Sequence, residues 1–448
     1  MSSWWLTELV RWSGAAIVAA IVTWAALHPP YKNTPPIRSD GLGYHVWTRA
    51  ILERDFTFCR WVRDAGREQF SFVDFEHNRC QVRYPPGLAL LQFPVMAFLV
   101  DTSPGAPFVS AGEHKAALLL AAFALSLIAL LVTDAARRLG AAAWSTSLAV
   151  WAGAFGTGLF HYATYDASFT HVYSALGVSI ALWLGARAWK NHARLPIVPL
   201  LLLGFFLVLL RSTNVLIIGA LAAVAAIVFI PEGASWKSKR AAIAAIQNLW
   251  PLALGSVIGE AVQVAYNSYA NGRLSGSSYA DVHFDFASPH QLDVLFSYER
   301  GLFTWYPWLL VAFVAALVAR QTRPYALAMC GTFAAFVVLY GFWFSWCLGG
   351  GFGHRGFIEL IPTAMLCFAA ALGALRRVAQ IAAVTLTLLT TFATLELLTG
   401  YWKGHIDFQG TTSRIYWAHV AGKDSLLPVP LIELDRGPPF RAQTCIAR

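Results

Sequence analysis

The sequence has little charge and few cysteines. Only 13% of its 448 residues are Asp, Glu, Lys or Arg, and 6 are Cys. An ordinary soluble domain, in which about 25% of residues are charged, is therefore excluded. The cysteines and histidines do not show the spacing of a zinc motif. The sequence also contains no internal repeat, coiled coil or low-complexity tract.

Apolar residues are abundant instead: 57% of the chain is hydrophobic and 14% is aromatic, with a mean hydropathy of +0.54. About eleven apolar stretches are long enough to cross a bilayer, each needing about 20 residues. We therefore predict an all-α polytopic membrane protein with about eleven transmembrane helices. The net charge of +9 does not indicate a nucleic-acid partner, because the basic residues lie in short loops that orient membrane helices.

The basic turns predict the topology. With a cytoplasmic N-terminus, five turns fall on the inner side, as the positive-inside bias requires; they contain Arg137, Arg187, Lys237, Arg320 and Arg376. The first apolar segment, residues 13–27, is predicted to be a retained helix and not a removed signal peptide. The short piece 88–100, interrupted by Pro94, is then expected to lie along the interface.

This topology divides the chain into a transmembrane module, residues 1–400, and an outer tail, residues 401–448. The first outer loop, residues 29–115, would carry interfacial helices over 41–52 and 88–100. A second large outer loop would cover residues 267–300. The polar segments that could carry chemistry thus all face outward.

Two outer carboxylates are candidates for acid–base chemistry. Asp40 lies just before the first interfacial helix, where it could be a general base, a ligand for a divalent cation or a helix N-cap. Asp166, with His171 one turn later, could supply a second carboxylate or cap the following helix. The residues alone leave these alternatives open.

Several arginines at helix ends could bind an anion. Arg83 and Tyr84 precede Pro85 and Pro86 at the entry to the second interfacial helix, which is also what an ordinary helix start looks like. Arg211, between two apolar helices, needs either an anionic partner such as phosphate or an exit to the interface. The glycine-rich loop 349–356 could offer backbone N–H groups beside Arg355, or it could be a flexible connection.

Cysteine use fits an oxidising compartment, because Cys59 and Cys80 both fall in the first outer loop. They are the preferred disulfide pair, although sequence does not determine connectivity.

Taken in order, these segments resemble the bacterial GT-C-type integral membrane glycosyltransferases, relatives of protein O-mannosyltransferases and lipid A aminoarabinose transferases. The resemblance covers most of the chain, and it rests on the order of the motifs. The matching segments are Asp40, Tyr84–Gly87, Thr170–Ser174, Tyr266–Asn267, Gly272, Gly276–Tyr279, Leu295–Phe303, Trp343–Gly350, Phe352–Arg355 and Pro362.

The resemblance implies a polyprenyl-phosphate sugar donor, inversion at the anomeric carbon, and transfer to an envelope glycan, lipid or protein outside the bacterial cytoplasmic membrane. It implies that Asp40 is the catalytic base or metal-organising acid and that Asp166 supports it. The residues it implies for binding substrate or phosphate are Arg83, Tyr84, His171, Arg211, Asn267, Tyr279, Arg300, His354 and Arg355.

The chain departs from the family at two positions. Asp40 lacks the second acidic residue that the mannosyltransferases pair with it, and His354 stands where proline is expected. Two other functions remain open: a polymerase or ligase of lipid-linked oligosaccharides, and a flippase or transporter of a lipid-linked sugar. A flippase should show charges along a path through the membrane and two related halves, and the sequence shows neither.

Overall fold

The computed structural model describes most of the chain. It leaves residues 1, 30–34, 57, 59–72, 77–78, 104, 192–193, 229–238, 272–273, 275–282, 407–410 and 424–448 undescribed. The side chains of 2–3, 73–76, 79–81, 222–228, 239–246 and 271 are likewise outside the description. Every structural statement below concerns the remaining residues.

The described chain is predominantly helical. Its α-helices are α1 Ser2–Leu27, α2 Asp40–Glu53, α3 Gly87–Met96, α4 Ala111–Arg138, α5 Ala143–Phe155, α6 Leu159–Thr164, α7 His171–Asn191, α8 Ile197–Leu210, α9 Asn214–Val228, α10 Lys239–Asn271, α11 Gln291–Phe296, α12 Leu302–Trp305, α13 Trp308–Val318, α14 Arg323–Gly341, α15 Ile361–Leu372, α16 Arg377–Trp402 and α17 Ser413–Val420. A 3₁₀ helix, Arg355–Leu360, precedes α15, and two strands, β1 Val73–Glu76 and β2 Arg79–Val82, form an antiparallel hairpin.

Within the described residues, five helices are long and apolar enough to cross a bilayer: Trp4–Leu27, Ala111–Arg138, Arg323–Gly341, Arg355–Leu372 and Arg377–Trp402. Three shorter helices are also apolar: Gly87–Met96, Ile197–Leu210 and Trp308–Val318. The chain is thus an α-helical membrane protein. The count of about eleven spans remains a prediction.

Two compact units make up the chain. Unit 1 comprises Met1–Val18, Ala129–His161 and Val282–Arg448, and unit 2 comprises Ala19–Ile128 and Tyr162–Asp281. Each is described separately.

The closest helix contact in unit 2 joins α8 to α10. A Cβ atom on Gly204 would overlap the backbone carbonyl of Leu252, and one on Gly255 would overlap that of Leu201. In lipid, small residues let helix backbones approach so closely that dispersion contacts and polar contacts hold them. The break between α8 and α9 falls at Arg211, as predicted.

The predicted first outer loop also belongs to unit 2. The helices expected over 41–52 and 88–100 are present as α2 and α3, and α3 continues past Pro94 to Met96. The same loop contains a short hairpin that was not predicted, in which β1 pairs with β2 from Val73↔Val82 to Glu76↔Arg79; the fold as a whole is helical, as predicted. Apolar and acidic residues alternate in Val73–Glu76, which is the period of a strand.

Unit 1 packs α5, α13, α15 and α16 around aromatic side chains, with the rings of Trp308 and Phe368 5.7 Å apart. Two apolar stretches, each long enough in sequence to be read as one helix, are interrupted here. The stretch 145–161 breaks after Phe155, and the stretch 302–319 breaks at Tyr306 before Pro307. Proline has no N–H to donate into a continuing helix.

The close approach of α8 and α10 predicts opposite effects for two glycine substitutions. Gly255→Ala places a methyl group against the Leu201 carbonyl, and we expect it to lower the thermal unfolding midpoint in detergent. Gly219→Ala, on α9, adds a methyl group where nothing lies within 4 Å. It should leave the midpoint unchanged or raise it, since Ala favours helix by about 1 kcal/mol over Gly. Equal midpoints for the two variants would contradict the tight packing.

Candidate functional site

Asp40 is the first residue of α2 and is 7% exposed. The capping alternative was wrong, because Ser39 occupies the N-cap position. Ser39 has a φ of 46°, in the left-handed region that non-glycine residues seldom adopt. Its Oγ lies 3.3 Å from Asp40 Oδ1 and donates a hydrogen bond to it. The helix N-terminus, with its positive dipole end, suits a carboxylate.

One side of α2 is fixed to the segment that precedes α4. The Arg49 guanidinium donates to the carbonyls of Asp101, Pro107 and Phe108 at 2.9 to 3.2 Å. Nearby, His45 Nε2 lies 2.7 Å from Glu113 Oε1, and both side chains are buried. These contacts hold α2 and therefore restrict where Asp40 can be.

Glu113 also forms a capping box at the start of α4. The backbone N–H of Ser110 donates to Glu113 Oε2 at 2.7 Å, and the N–H of Glu113 donates to Ser110 Oγ at 3.2 Å. This reciprocal arrangement satisfies helix-start N–H groups. Glu113 therefore joins the helix start to His45.

The segment carrying Asp166 lies directly against the start of α2. Arg38 Nη2 donates to Asp166 Oδ1 at 2.6 Å, and the Arg38 guanidinium lies 4.6 Å from the centre of the Tyr165 ring. A Cβ atom on Gly41 would overlap Ser168 Oγ. Residues 38–41 and 166–168 are therefore in contact, which brings the segments that carry Asp40 and Asp166 together. Asp166 binds Arg38, and α7 begins five residues later, at His171.

Tyr84 lies on another face of α2. Its ring centre is 4.6 Å from that of Tyr44, and its carbonyl accepts a hydrogen bond from Trp47 Nε1 at 2.8 Å. Thr170 Oγ1 donates to the Tyr44 hydroxyl at 3.4 Å. The structure thus places Arg83 and Tyr84 next to α2, and α2 next to the residues that precede His171.

His171 contacts Arg211. Arg211 Nη1 donates to His171 Nδ1 at 2.6 Å, and because a guanidinium has no acceptor, this ring nitrogen must carry no proton. The ring of Tyr162 lies 4.8 Å from that of His171. Arg211 is therefore turned toward His171 within unit 2, and its role in anion binding stays a prediction.

Asn267 is 1% exposed near the C-terminal end of α10. Its Oδ1 accepts a hydrogen bond from Gln263 Nε2 at 3.0 Å. The hydroxyl of the preceding Tyr266 accepts one from the backbone N–H of Val82 at 2.9 Å. Asn267 therefore lies on the helix turn that contacts the chain beside Arg83.

In unit 1, Arg300 and the glycine-rich loop come together. Arg300 is 2% exposed, and its Nη1 donates to the carbonyl of Gly351 at 2.7 Å. The hydroxyl of Tyr306 donates to the carbonyl of Phe352 at 2.5 Å. Gly353 has a φ of 58°, and a Cβ there would meet the Tyr306 ring. The loop is therefore a packed element and not a flexible connection.

His354 and Arg355 complete this group. His354 Nε2 donates to the carbonyl of Trp346 at 3.0 Å. Burial, together with the nearby charges of Arg300 and Arg355, lowers the pKa of His354 to about 3. The imidazole is therefore neutral, and the arginines carry the positive charge of this loop. Arg355 Nη2 points toward Gly349.

The predicted roles of Tyr279 and of the Cys59–Cys80 disulfide fall on residues that the structure does not fully describe. Tyr279 and Cys59 are not described, and neither is the side chain of Cys80. Cys347 is disulfide-bonded, whereas Cys330 and Cys367 are free thiols. In the described part of the chain, His, Cys, Asp and Glu do not form a group of three that could hold a metal ion.

Four residues that position α2 were not predicted from the sequence: Arg38, His45, Arg49 and Glu113. The motif Ser110–Glu113 is a readable capping-box pattern, and it could have predicted the start of α4. The other contacts link residues distant in sequence, and no local pattern indicates them.

Comparison with known proteins gives no family model that matches this chain and no curated protein with significant similarity to it.

The Arg38–Asp166 ion pair predicts a stability loss that an exposed pair should not show. The Asp166 side chain is 6% exposed, and Asp166→Asn should lower the free energy of unfolding by about 2 kcal/mol, typical of a hydrogen bond between charged groups. Asp293→Asn, which removes a 52% exposed carboxylate paired with His290, should cost less than about 1 kcal/mol. Thermal unfolding of both variants, with Arg38→Gln to complete a double-mutant cycle, measures the coupling.

Proposed function

We propose that this chain is a membrane glycosyltransferase that moves a sugar from a polyprenyl-phosphate donor to an envelope glycan, lipid or protein, with inversion. The observation that supports it best is the contact between residues 38–41 and 166–168. It gathers two buried carboxylates at the start of a helix. A carboxylate held in place beside a reacting hydroxyl can accept its proton.

The two carboxylates differ in their partners, which suggests different roles. Asp166 is paired with the Arg38 guanidinium, an interaction that holds a carboxylate in its charged form and orients it. Asp40 lies at the helix start with the Ser39 hydroxyl beside it. We assign Asp40 as the general base toward the acceptor hydroxyl. Asp166 is then a positioning residue.

The leaving group in this reaction is a lipid phosphate, which needs positive charge near it. Arg211 is a candidate in unit 2: a guanidinium has five N–H donors, so its bond to His171 is compatible with phosphate binding. In unit 1, Arg355 is a candidate too: it lies at the start of a 3₁₀ helix, directly after the glycine-rich loop. A divalent cation is not required by these assignments.

The proposal places the N-terminus in the cytoplasm of a bacterium and the reacting groups on the outer face of its inner membrane. The basic turns support this orientation. The disulfide at Cys347 supports it too, since disulfides persist in oxidising compartments and Cys347 falls on the predicted outer side.

A second candidate is a flippase or transporter of a lipid-linked sugar. The observation that favours it is the pair of broken helices in unit 1, after Phe155 and at Tyr306. Transporters use discontinuous helices at their binding sites. The buried carboxylates in unit 2 favour the transferase.

Loss of the Asp40 carboxylate should abolish transfer without loss of the fold. With radiolabelled polyprenyl-phosphate sugars and an envelope extract, wild type should transfer label and Asp40→Asn should transfer at most about 1% as much, the scale of a lost general base. Asp101→Asn, an exposed loop carboxylate that binds Ser103, is the matched control and should retain activity. Full transfer by Asp40→Asn would refute the assignment.

The same assay separates the two candidate functions. The flippase would be favoured by two results together: wild type does not transfer label from the donor, and wild type and Asp40→Asn bind the donor equally.

Arg211→Lys tests the phosphate role. Lysine keeps the charge but loses the planar fork of donors, so the KM for the donor should rise by about tenfold, equivalent to about 1.4 kcal/mol. The KM for the acceptor should not change. Arg320→Lys, in a basic turn, is the control and should match wild type. A fall in kcat alone would mean that Arg211 does not bind the donor in its ground state.

A further inference from the structure

The chain between 283 and 296 exposes a set of large apolar side chains that a soluble loop would not carry. Phe284 is 40% exposed, Phe286 74%, Leu292 74% and Phe296 52%. We call these four side chains the apolar patch. Contiguous exposed apolar surface marks a contact with another molecule or with a membrane.

The patch is built by two successive elements. Phe284 and Phe286 alternate with polar residues, so they share one face, and their rings stack 6.0 Å apart. Leu292 and Phe296 are one helical turn apart on α11 and share a face, while Val294 is buried. Each element thus turns its apolar side outward.

Polar groups of the same segment are satisfied internally. The backbone N–H of Asp285 donates to the carbonyl of Phe342 at 2.7 Å. Asp285 Oδ1 accepts from the N–H groups of Ala287 and Ser288, and His290 Nδ1 lies 2.8 Å from Asp293 Oδ2. In a segment that contacts lipid, the backbone N–H and C=O groups need hydrogen-bond partners within the protein, because water is scarce there.

The patch continues into the outer surfaces of two apolar helices. Phe286 contacts Phe342 at the end of α14, with ring centres 5.2 Å apart, and Val338 on α14 is 52% exposed. Phe296 contacts Phe303 just before α13, at 5.7 Å, and Val314 on α13 is 59% exposed. Since α14 is long and apolar enough to span, its exposed side faces lipid.

We infer that residues 283–296 insert the apolar patch into the boundary between headgroups and acyl chains of the bilayer. The sequence predicted this segment as part of an outer polar loop. The molecule that covers the apolar patch is, in this proposal, the lipid of the bilayer. Trp343, whose ring contacts Phe284 at 5.1 Å, is the residue type that membrane interfaces favour.

Insertion would also set the depth of the glycine-rich loop. The ring of His290 stacks on Trp346 at 5.9 Å with an interplanar angle of 19°, and the Trp346 carbonyl binds His354. The segment that touches lipid is therefore connected to Arg355 by a short chain of contacts. This link does not depend on the proposed function.

Photocrosslinking of the full chain in phosphatidylethanolamine–phosphatidylglycerol nanodiscs tests the inference. Benzoylphenylalanine replaces Phe286 or Leu292 one at a time, a change that preserves an apolar side chain. The same probe at Val338 is the lipid-facing reference, and at the exposed Arg414 of α17 it is the aqueous reference. Irradiation followed by mass spectrometry identifies the adduct.

We expect phospholipid adducts at 286, 292 and 338, and none at 414. The absence of phospholipid adducts at 286 and 292, with crosslinks to a second copy or to a part of the same chain other than the neighbouring residues 284 and 342, would overturn the inference and identify protein as the occupant. Adduct yields at 286 and 292 equal to that at 414 would overturn it as well. If a variant does not elute like wild type in size-exclusion chromatography, the probe is placed at Phe284 instead.

Discussion

Backbone groups inside a membrane must find partners within the protein, and the carbonyls of Gly156 and Trp305 show how this chain meets that constraint. Both lie at helix breaks in unit 1. Thr394 Oγ1 lies 3.2 Å from the Trp305 carbonyl and 3.5 Å from the Gly156 carbonyl, and it also bonds its own helix at Thr390. The hydroxyl has one proton to donate, so it reaches both breaks but bonds one of these carbonyls at a time. Irregular backbone is tolerated at membrane depth only where protein covers it in this way.

The same constraint shapes unit 2, where several buried charged side chains have polar partners among the described residues. Arg49 is surrounded by carbonyls, Glu113 receives two backbone or side-chain contacts, and Arg38 meets Asp166. Removing one partner of such a pair leaves a buried group unsatisfied, which costs more than the pair contributes in net stability. The contacts around α2 are thus mutually dependent, and the place of Asp40 follows from them.

Sequence patterns predicted the local elements better than their junctions. The apolar periodicity and the position of Arg211 predicted two helices there, and the turn residues at Pro85 predicted the entry to α3. The breaks after Phe155 and at Tyr306 were missed, because a long apolar run looks the same whether it is one helix or two. The hairpin at Val73 was missed because its strands are short and lie in a polar region.

The candidate groups were predicted one residue at a time, and their partners were not. Asp40 and Asp166 were singled out by their place in the topology, but Arg38, which joins their segments, carries no local signal. The same holds for Arg300, predicted as a phosphate ligand, whose contact with the Gly351 carbonyl depends on loop conformation. Long-range pairings are set by tertiary packing, and one sequence does not encode them in any short window.

The neutral His354 has a consequence for the glycine-rich loop. With a pKa of about 3, the imidazole is uncharged near neutral pH and in mildly acidic solution, and arginine does not lose its proton there. The positive charge of this loop therefore comes from its arginines alone, and it does not change when the surroundings become mildly acidic.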